Sequence, residues 1–281
     1  MPKQNTIASP VKISGIALHT GVRATLKILP APVDHGIVFR RVDMPNSPEV
    51  KAHVTNIVDV RLATTIASKT TGAMVTTVEH VMAAMHISGL DNAMIEMDGP
   101  EPPITDGSGK IFFEEIQKAG LREQDAEARY FVPKAPIFFE QDNVFLALLP
   151  ADDLKVSFTV EYGVTPLDMQ FFSSVINVDT FREQICGART FCHYKDLKKL
   201  LGMGLGKGGS LDNAVILHEG AIVSKDGLRY RNELVRHKVL DLLGDLYHIG
   251  KRVKGHIVSI KSGHPSHAQL VQLMYRQEIN Q

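Results

Sequence analysis

Val235-Arg236-His237-Lys238-Val239-Leu240-Asp241-Leu242-Leu243-Gly244-Asp245 is the stretch around which the rest of the chain arranges itself. Its apolar residues recur at helical spacing, and His237, Asp241 and Asp245 follow one another at intervals of four, so a helix sets all three on one face while the leucines fall elsewhere. An imidazole and a carboxylate at that spacing can share one divalent cation, and the second aspartate can orient a neighbouring ligand. The alternative is an ordinary His–Asp ion pair on a solvated face. A faint counterpart lies upstream. Val78-Glu79-His80 and Val235-Arg236-His237 both lead into an apolar helix, then a strand, then a glycine turn, with 27 residues from His80 to Gly107 and 26 from His237 to Gly263. Two similarly folded halves facing each other fit this pattern, and a site between them takes one cluster from each.

Working outward, alternating or β-branched runs at Thr6–Ile13, Gly36–Arg40, Ala93–Met97, Ala135–Phe139, Val144–Leu149, Lys155–Tyr162 and Gly255–Ile260 predict strands. Helical patterns cover Thr77–Ser88, Lys110–Ala119, Lys195–Leu201, Arg231–His248 and Ser266–Asn280. The expected class is α+β. Strands precede helices in each half, which predicts antiparallel sheets with helices on one face. The charged segment Arg122–Arg129 reads as the boundary between an N-terminal domain, residues 1–124, carrying Glu79 and His80, and a C-terminal domain, residues 125–281, carrying His237, Asp241 and His264.

Lys plus Arg equals Asp plus Glu at 31 each, so no global field draws the protein to nucleic acid or anionic lipid, and recognition is expected at a local site. Cys186 and Cys192 match neither a disulfide framework nor a Cys-x-x-Cys pair, which fits a reducing cytoplasm. The N-terminus has no signal-peptide core, and Val144–Leu149 is too short to span a bilayer. A soluble, cytoplasmic protein without stable membrane insertion is expected.

Three further clusters carry potential chemistry. Thr76-Thr77-Val78-Glu79-His80 places a carboxylate beside a candidate ligand; Thr76-x-x-Glu79 also has the form of a capping box, in which Glu79 serves the helix start. Two histidines and one aspartate make up the ligand set of a catalytic zinc site, and Glu79 then stands where a general base is needed. Lys261-Ser-Gly-His264-Pro-Ser266 precedes a second box, Ser266-x-x-Gln269, and so assigns His264 to a tight loop, as a general acid or an ordinary surface histidine. His19, in Leu18-His-Thr-Gly21, calls for the same caution. Thr190 can donate to an oxyanion or cap a turn. The run from Gly202 to Gly209 lacks the ending of a P-loop, which excludes nucleotide hydrolysis and leaves a flexible hairpin lining a groove.

Taken in order, Gly15-Ile-Ala-Leu-His19-Thr-Gly21, Thr77-Val-Glu79-His80, Pro103-Ile-Thr-Asp106-Gly-Ser108, Ala188-Arg-Thr190-Phe191, Gly208-Gly-Ser210, Val235-Arg-His237-Lys238-x-x-Asp241-x-x-Gly-Asp245 and Ser262-Gly-His264 make the chain resemble the UDP-3-O-acyl-N-acetylglucosamine deacetylases, zinc amidases of lipid A biosynthesis. The resemblance runs nearly end to end. It implies two domains, each with two helices on a small sheet and the site between them, and an inserted βαβ-like element near residues 192–222 that forms a passage for an acyl chain, with Leu197, Leu200, Leu201 and Leu211 as its apolar lining; an ordinary amphipathic helix core is the other reading of those leucines. It implies one Zn²⁺ per chain on His80, His237 and Asp241, Glu79 as base, Thr190 polarising the acetamide carbonyl, His264 oriented by Asp245 as the acid, and Lys238 adding positive charge. Phe191, Tyr162, Lys261, Gly209 and Ser210 are the further candidate contacts to the acylated UDP-amino sugar, although Glu140–Asn143 carries no lysine where one is expected. No fused dehydratase domain is expected in a chain that ends at Gln281. Transient contact with a membrane surface stays open. So do two rivals, a zinc amidase for another N-acetylated sugar and a non-catalytic module in which zinc is enclosed by a fourth protein ligand.

Overall fold

A computed structural model describes residues 2–163 and 169–280. In chain order the first half runs β1 (Lys3–Ile7), β2 (Val11–Ile16), β3 (Arg23–Pro30), β4 (Ile37–Arg41), β5 (Glu49–Lys51), the ribbon β6 (Ile57–Asp59), β7 (Thr65–Ala67) and β8 (Met74–Val75), then α1 (Glu79–Ser88), β9 (Ala93–Met97) and α2 (Lys110–Ala119). After β10 (Leu121–Glu127) and β11 (Tyr130–Phe131), the second half continues with β12 (Ile137–Gln141), β13 (Val144–Leu149), β14 (Leu154–Glu161), β15 (Met169–Val175) and α3 (Val178–Gln184). Next come the insert β16 (Phe191–His193), α4 (Tyr194–Gly202), β17 (Val215–His218) and β18 (Ala221–Val223), and finally α5 (Glu233–Leu246), β19 (Arg252–Val253), β20 (Gly255–Ile260) and α6 (His264–Ile279).

The two halves repeat one topology. Five-stranded sheets with orders β2-β3-β9-β4-β5 and β12-β13-β20-β14-β15 correspond strand for strand, and α1 and α5 precede the central strand as α2 and α6 follow it. The fold is α+β, two similar sheet-and-helix halves, as the paired motifs predict. The sheets are not wholly antiparallel. β4 pairs with β9 and β14 with β20 in parallel, because each of those connections crosses over through a helix before the chain returns beside its starting strand.

α1 packs on α5 at the centre, with α2 beside α1 and α6 beside α5. One apolar core runs through both halves. α1 is buried nearly all round, which its sequence, Val81-Met-Ala-Ala-Met85, provides for. The helices approach closely because Gly244 faces α1: a Cβ there would stand 2.0 Å from the Glu79 carbonyl oxygen. Polar contacts seal the same seam further along. His86 Nδ1 lies 2.8 Å from Leu243 O and its ring stacks on Tyr247 at 4.5 Å, while the Tyr247 hydroxyl donates to Leu90 O.

Several local expectations change. Most of the segment Arg122–Arg129, expected at a domain boundary, is β10, which pairs with β1, and position 124/125 lies within that strand. The run Thr6–Ile13 is two strands, broken at Ser9-Pro10 because proline supplies no N–H to a ladder. The insert is a true βαβ unit, since β16 and β17 pair in parallel across α4.

Candidate active site

The crossing of α1 and α5 brings the two clusters together. His80 lies in the first turn of α1, and His237 and Asp241 share one face of α5. His80 Nε2 is 3.6 Å from Asp241 Oδ1 and His237 Nε2 is 3.3 Å from the same oxygen. The rings of the two histidines meet edge to face at 5.0 Å. One donor atom from each of the three residues lies within 4.8 Å of the others, and all three residues are buried. Asp241 Oδ1 has no hydrogen-bond partner among the described residues. A buried carboxylate oxygen left in that state is costly unless a cation compensates it, so these residues fit a divalent metal. His237 Nδ1 sits 3.1 Å from Ala188 O, which leaves Nε2 free to face a cation, and burial pushes this imidazole down to about 3, toward the neutral form that a metal ligand needs.

Glu79 does not cap its helix. The N-terminal position of α1 is held by Val78 with no side-chain cap, and Glu79 Oε2 instead accepts from the Thr64 backbone N–H at 3.1 Å inside the protein. Burial raises its carboxyl above the ordinary range, against the pull of His264 and His80. That is the direction a general base needs.

His264 is not in a loop. α6 begins at His264, because Ser266 acts from its third position: Gly263 N–H donates to Ser266 Oγ at 3.0 Å and the same hydroxyl donates back to Gly263 O at 2.8 Å. His264 Nδ1 lies 2.8 Å from Asp245 Oδ2, and its Nε2 is 3.8 Å from Asp241 Oδ2. Burial works against the imidazolium, but the Asp245, Asp241 and Glu79 carboxylates lift it to about 9. Asp245, which burial alone would raise, is held well below the carboxylate range by His264 and His267. Lys238 Nζ bonds Asp241 Oδ2 at 2.7 Å; burial opposes its charge, yet Asp241 keeps its pKa above the ordinary value. His237 and Lys238 in turn hold Asp241 well below its ordinary value against burial.

Of the flanking candidates, Phe191 touches the cluster directly. Thr190 N–H donates to Gly107 O at 2.8 Å, fixing the strand end that carries Phe191. The Phe191 ring contacts both His237, at 5.9 Å, and Tyr162, at 5.3 Å, and Lys238 lies over it. Lys261 is drawn to Glu161 at 2.7 Å. Leu197, Leu200 and Leu201 lie on α4, no residue of which is buried, so they do not form an ordinary helix core, and Leu211 is exposed as well. Gly209 and Ser210 belong to a loop laid against the first half, with Gly208 N–H donating to Leu18 O at 2.9 Å.

Sequence reasoning missed four buried polar residues. Thr64 ties the site together: its N–H reaches Glu79, and its hydroxyl donates to Asp245 Oδ1 at 2.5 Å. Glu101, fully buried, accepts from the backbone N–H groups of His19 and Thr20 and from the hydroxyls of Thr20 and Thr77. Glu233 binds the guanidinium and N–H of Arg189 and anchors the Thr190 strand to α5. His267 shares Asp245 with His264. Only His267 had a readable signal, three residues after His264 on a helix.

A buried His–His–Asp set, accompanied by a carboxyl of raised pKa and an imidazolium that both adjoin Thr64, defines a hydrolytic enzyme, built across a repeated α+β fold. The model of the family described as UDP-3-O-acyl N-acetylglycosamine deacetylase matches residues 4–276. Proteins named UDP-3-O-acyl-N-acetylglucosamine deacetylase are similar over almost the whole chain: that of Anaeromyxobacter dehalogenans is 42% identical over 268 residues, covering 95% of this chain and 86% of that protein. The protein of Syntrophus aciditrophicus is 38% identical over 277 residues, 99% and 87%, and that of Myxococcus xanthus 40% over 268 residues, 95% and 85%. The chain belongs to the UDP-3-O-acyl-N-acetylglucosamine deacetylase family.

Proposed function

We propose that this protein hydrolyses the N-acetyl group of UDP-3-O-acyl-N-acetylglucosamine, giving acetate and UDP-3-O-acyl-glucosamine for lipid A biosynthesis, with one Zn²⁺ per chain. The observation that carries this reading is the meeting of His80, His237 and Asp241 from two halves of the chain, with Glu79 and His264 close by. His80, His237 and Asp241 would hold the ion. When bound there, Zn²⁺ supplies Lewis-acid chemistry, polarising a carbonyl oxygen and acidifying water.

The chain's own residues do the rest. Glu79 takes a proton from the attacking water at its carboxylate as the new C–O bond forms. Thr190 and Lys238 face the oxygen on which negative charge develops, an arrangement whose single donors are worth about 10²–10³ in rate. The His264 imidazolium stabilises that charge and passes its Nε2 proton to the amine nitrogen as the C–N bond breaks. Asp245 keeps His264 charged and aimed.

Substrate contacts follow the same geometry. Phe191, Tyr162 and Lys261 bind the sugar and diphosphate side, with Lys261 exchanging Glu161 for phosphate. Leu197, Leu200 and Leu201 receive the acyl chain, while Gly209 and Ser210 line its entry. The domains divide near 124/125 and each supplies one wall. The protein works in the cytoplasm. No helix among the described residues is long and apolar enough to cross a membrane. Exposed Lys195, Lys198 and Lys199 beside the apolar side chains of Leu201 and Met203 suit brief contact with an anionic bilayer surface.

Acetate release from the acylated UDP-sugar, run beside metal analysis, tests the reading. Zinc near one per chain and rapid release are expected, with poor turnover of the same substrate lacking its 3-O-acyl group. Glu79→Gln should keep its metal and lose about 10²–10⁴ in rate. Equal turnover of both substrates would favour a different N-acetylated sugar, and full activity in Glu79→Gln would remove the base.

A further inference from the structure

Asp245 holds His264, and a second histidine outside the chemistry holds Asp245. The Asp245 Oδ2 atom receives two ring nitrogens, His264 Nδ1 at 2.8 Å and His267 Nδ1 at 2.7 Å. A carboxylate only accepts, so both nitrogens carry hydrogen. In a neutral His267 ring Nε2 is then the acceptor, and the Ser262 hydroxyl stands 2.9 Å away to donate to it. Ser262 Oγ is in turn 2.6 Å from Ser259 Oγ, which leaves Ser259 as the donor between them. The chain therefore has a single direction, from Ser259 through Ser262 and His267 to Asp245. All four residues are buried, His267 completely. Its ends stand on separate elements, Ser259 on β20 and Asp245 on α5, with His267 between them on α6.

We propose that His267 is a positioning residue for the deacetylation, acting through Asp245 on His264. This rests on the function proposed above. With Thr64 on Oδ1 and His267 on Oδ2, the Asp245 carboxylate is clamped at both oxygens, so the direction in which it accepts His264 is fixed. His264 then points its other nitrogen, Nε2, toward the His–His–Asp cluster, 3.8 Å from Asp241 Oδ2. Without the His267 donor the carboxylate can turn about its own axis, and the His264 ring follows it out of line. Ser262 has a related part: it selects the His267 tautomer whose N–H faces Asp245.

The test measures kcat, KM, bound zinc and thermal midpoint for the wild type and for His267→Phe, His267→Gln, His267→Asn, Ser262→Ala and Glu79→Gln, in the acetate-release assay. Phe and Gln at 267 lack a donor at the Nδ1 position and should lower kcat about 10–100-fold, the usual range for a residue supporting a site from behind. KM and zinc content should stay close to wild type. Asn can place its amide N–H where Nδ1 stood and should recover most of the loss. A packing role predicts the reverse order, with the space-filling Phe nearest wild type and activity following the thermal midpoint. The inference is overturned if Phe keeps its kcat, if Asn does no better than Phe, or if lost zinc explains lost turnover. Should Phe fail to fold, Ser262→Ala decides, because it leaves the ring in place: a several-fold fall in kcat is expected, and an unchanged kcat sinks the proposal. Failure of the underlying function looks different. It shows as a wild type that releases no acetate, whereas a fully active Glu79→Gln removes only the base.

Discussion

Gly244→Ala tests whether the close crossing of α1 and α5 is what assembles the active site. A Cβ at position 244 would lie 2.0 Å from Glu79 O, 2.7 Å from Glu79 C and 3.0 Å from Glu79 Cα. Carbon needs about 3.5 Å from such neighbours, and the obstacle is helix backbone, which cannot rotate aside as a side chain would. The helices must therefore part by roughly 1 Å or more at this point. Overpacking of this kind costs about 1–3 kcal/mol, and the better helix propensity of alanine returns about 1 kcal/mol of it, so the net loss of stability is modest. Activity should suffer much more. Glu79 and His80 ride on α1 while His237 and Asp241 ride on α5, and a misplacement of about 1 Å between reacting groups costs on the order of 10² in rate. The measurements are kcat for acetate release, zinc retained after dialysis against a chelator, and the urea midpoint. A roughly 100-fold lower kcat with weaker zinc retention and a small midpoint shift is expected; wild-type turnover with an unchanged midpoint would refute the reasoning.

Other predictions follow from the same geometry. His264→Ala should reduce acetate release by about 10²–10⁴ with zinc content unchanged, and undiminished hydrolysis would remove it from proton transfer. Arg189→Met strands Glu233, which is fully buried, and breaking such a pair costs about 3–5 kcal/mol; a urea midpoint equal to wild type would show the pair to be dispensable. His86 is buried against Leu243 O, and burial lowers its pKa to about 4. An unfolded histidine titrates near 6.5, so between those values the unfolded chain binds the extra proton. The His86 contribution is thus complete above about pH 6.5 and is lost as pH falls toward 4, on the order of 3 kcal/mol in all. Urea midpoints across that range should fall less steeply in His86→Phe than in wild type, and parallel curves would show that His86 does not carry the effect.

Much of the fold was legible because local pattern and tertiary environment agree. Ala93–Met97, Val144–Leu149, Gly255–Ile260 and Lys110–Ala119 form the expected elements at the expected bounds. Each has an ordinary face toward a core or an ordinary amphipathic stripe. Where the environment departs from that, the pattern misleads. Leu121–Glu127 is charged because it is an edge ribbon paired only with β1, so it has the composition of a linker and the backbone of a strand. The Glu79 carboxyl has the spacing of a capping residue, but α1 is buried nearly all round and the carboxyl accepts from the Thr64 N–H instead. The polar face of α5 was legible because His237, Asp241 and Asp245 at intervals of four on an apolar helix are conspicuous. Thr64, Glu101 and Glu233 were not, since a buried threonine or glutamate reads like any surface residue until its partners are known.

The repeat explains why the chemistry is lopsided. The two sheets match strand for strand, yet α1 and α5 do not carry matching side chains. Four residues beyond His237 stands Asp241 and four further Asp245; four beyond His80 stands Ala84, with Ala83 and Met85 beside it. Small apolar residues let α1 be swallowed by the core, so it can supply only its first turn, where Glu79 and His80 stand at the edge of the enclosed part. α5 supplies a whole face, and that face stays polar only because Lys238, Thr64 and the α6 histidines meet its carboxylates one by one. A symmetric pair of helices could offer two equal ligands but not the unlike pair, a carboxylate and an imidazolium, that the proposed mechanism requires. Divergence between the halves is therefore what turns a symmetric crossing into a directional site, with proton uptake at Glu79 and proton release at His264 in the mechanism proposed above.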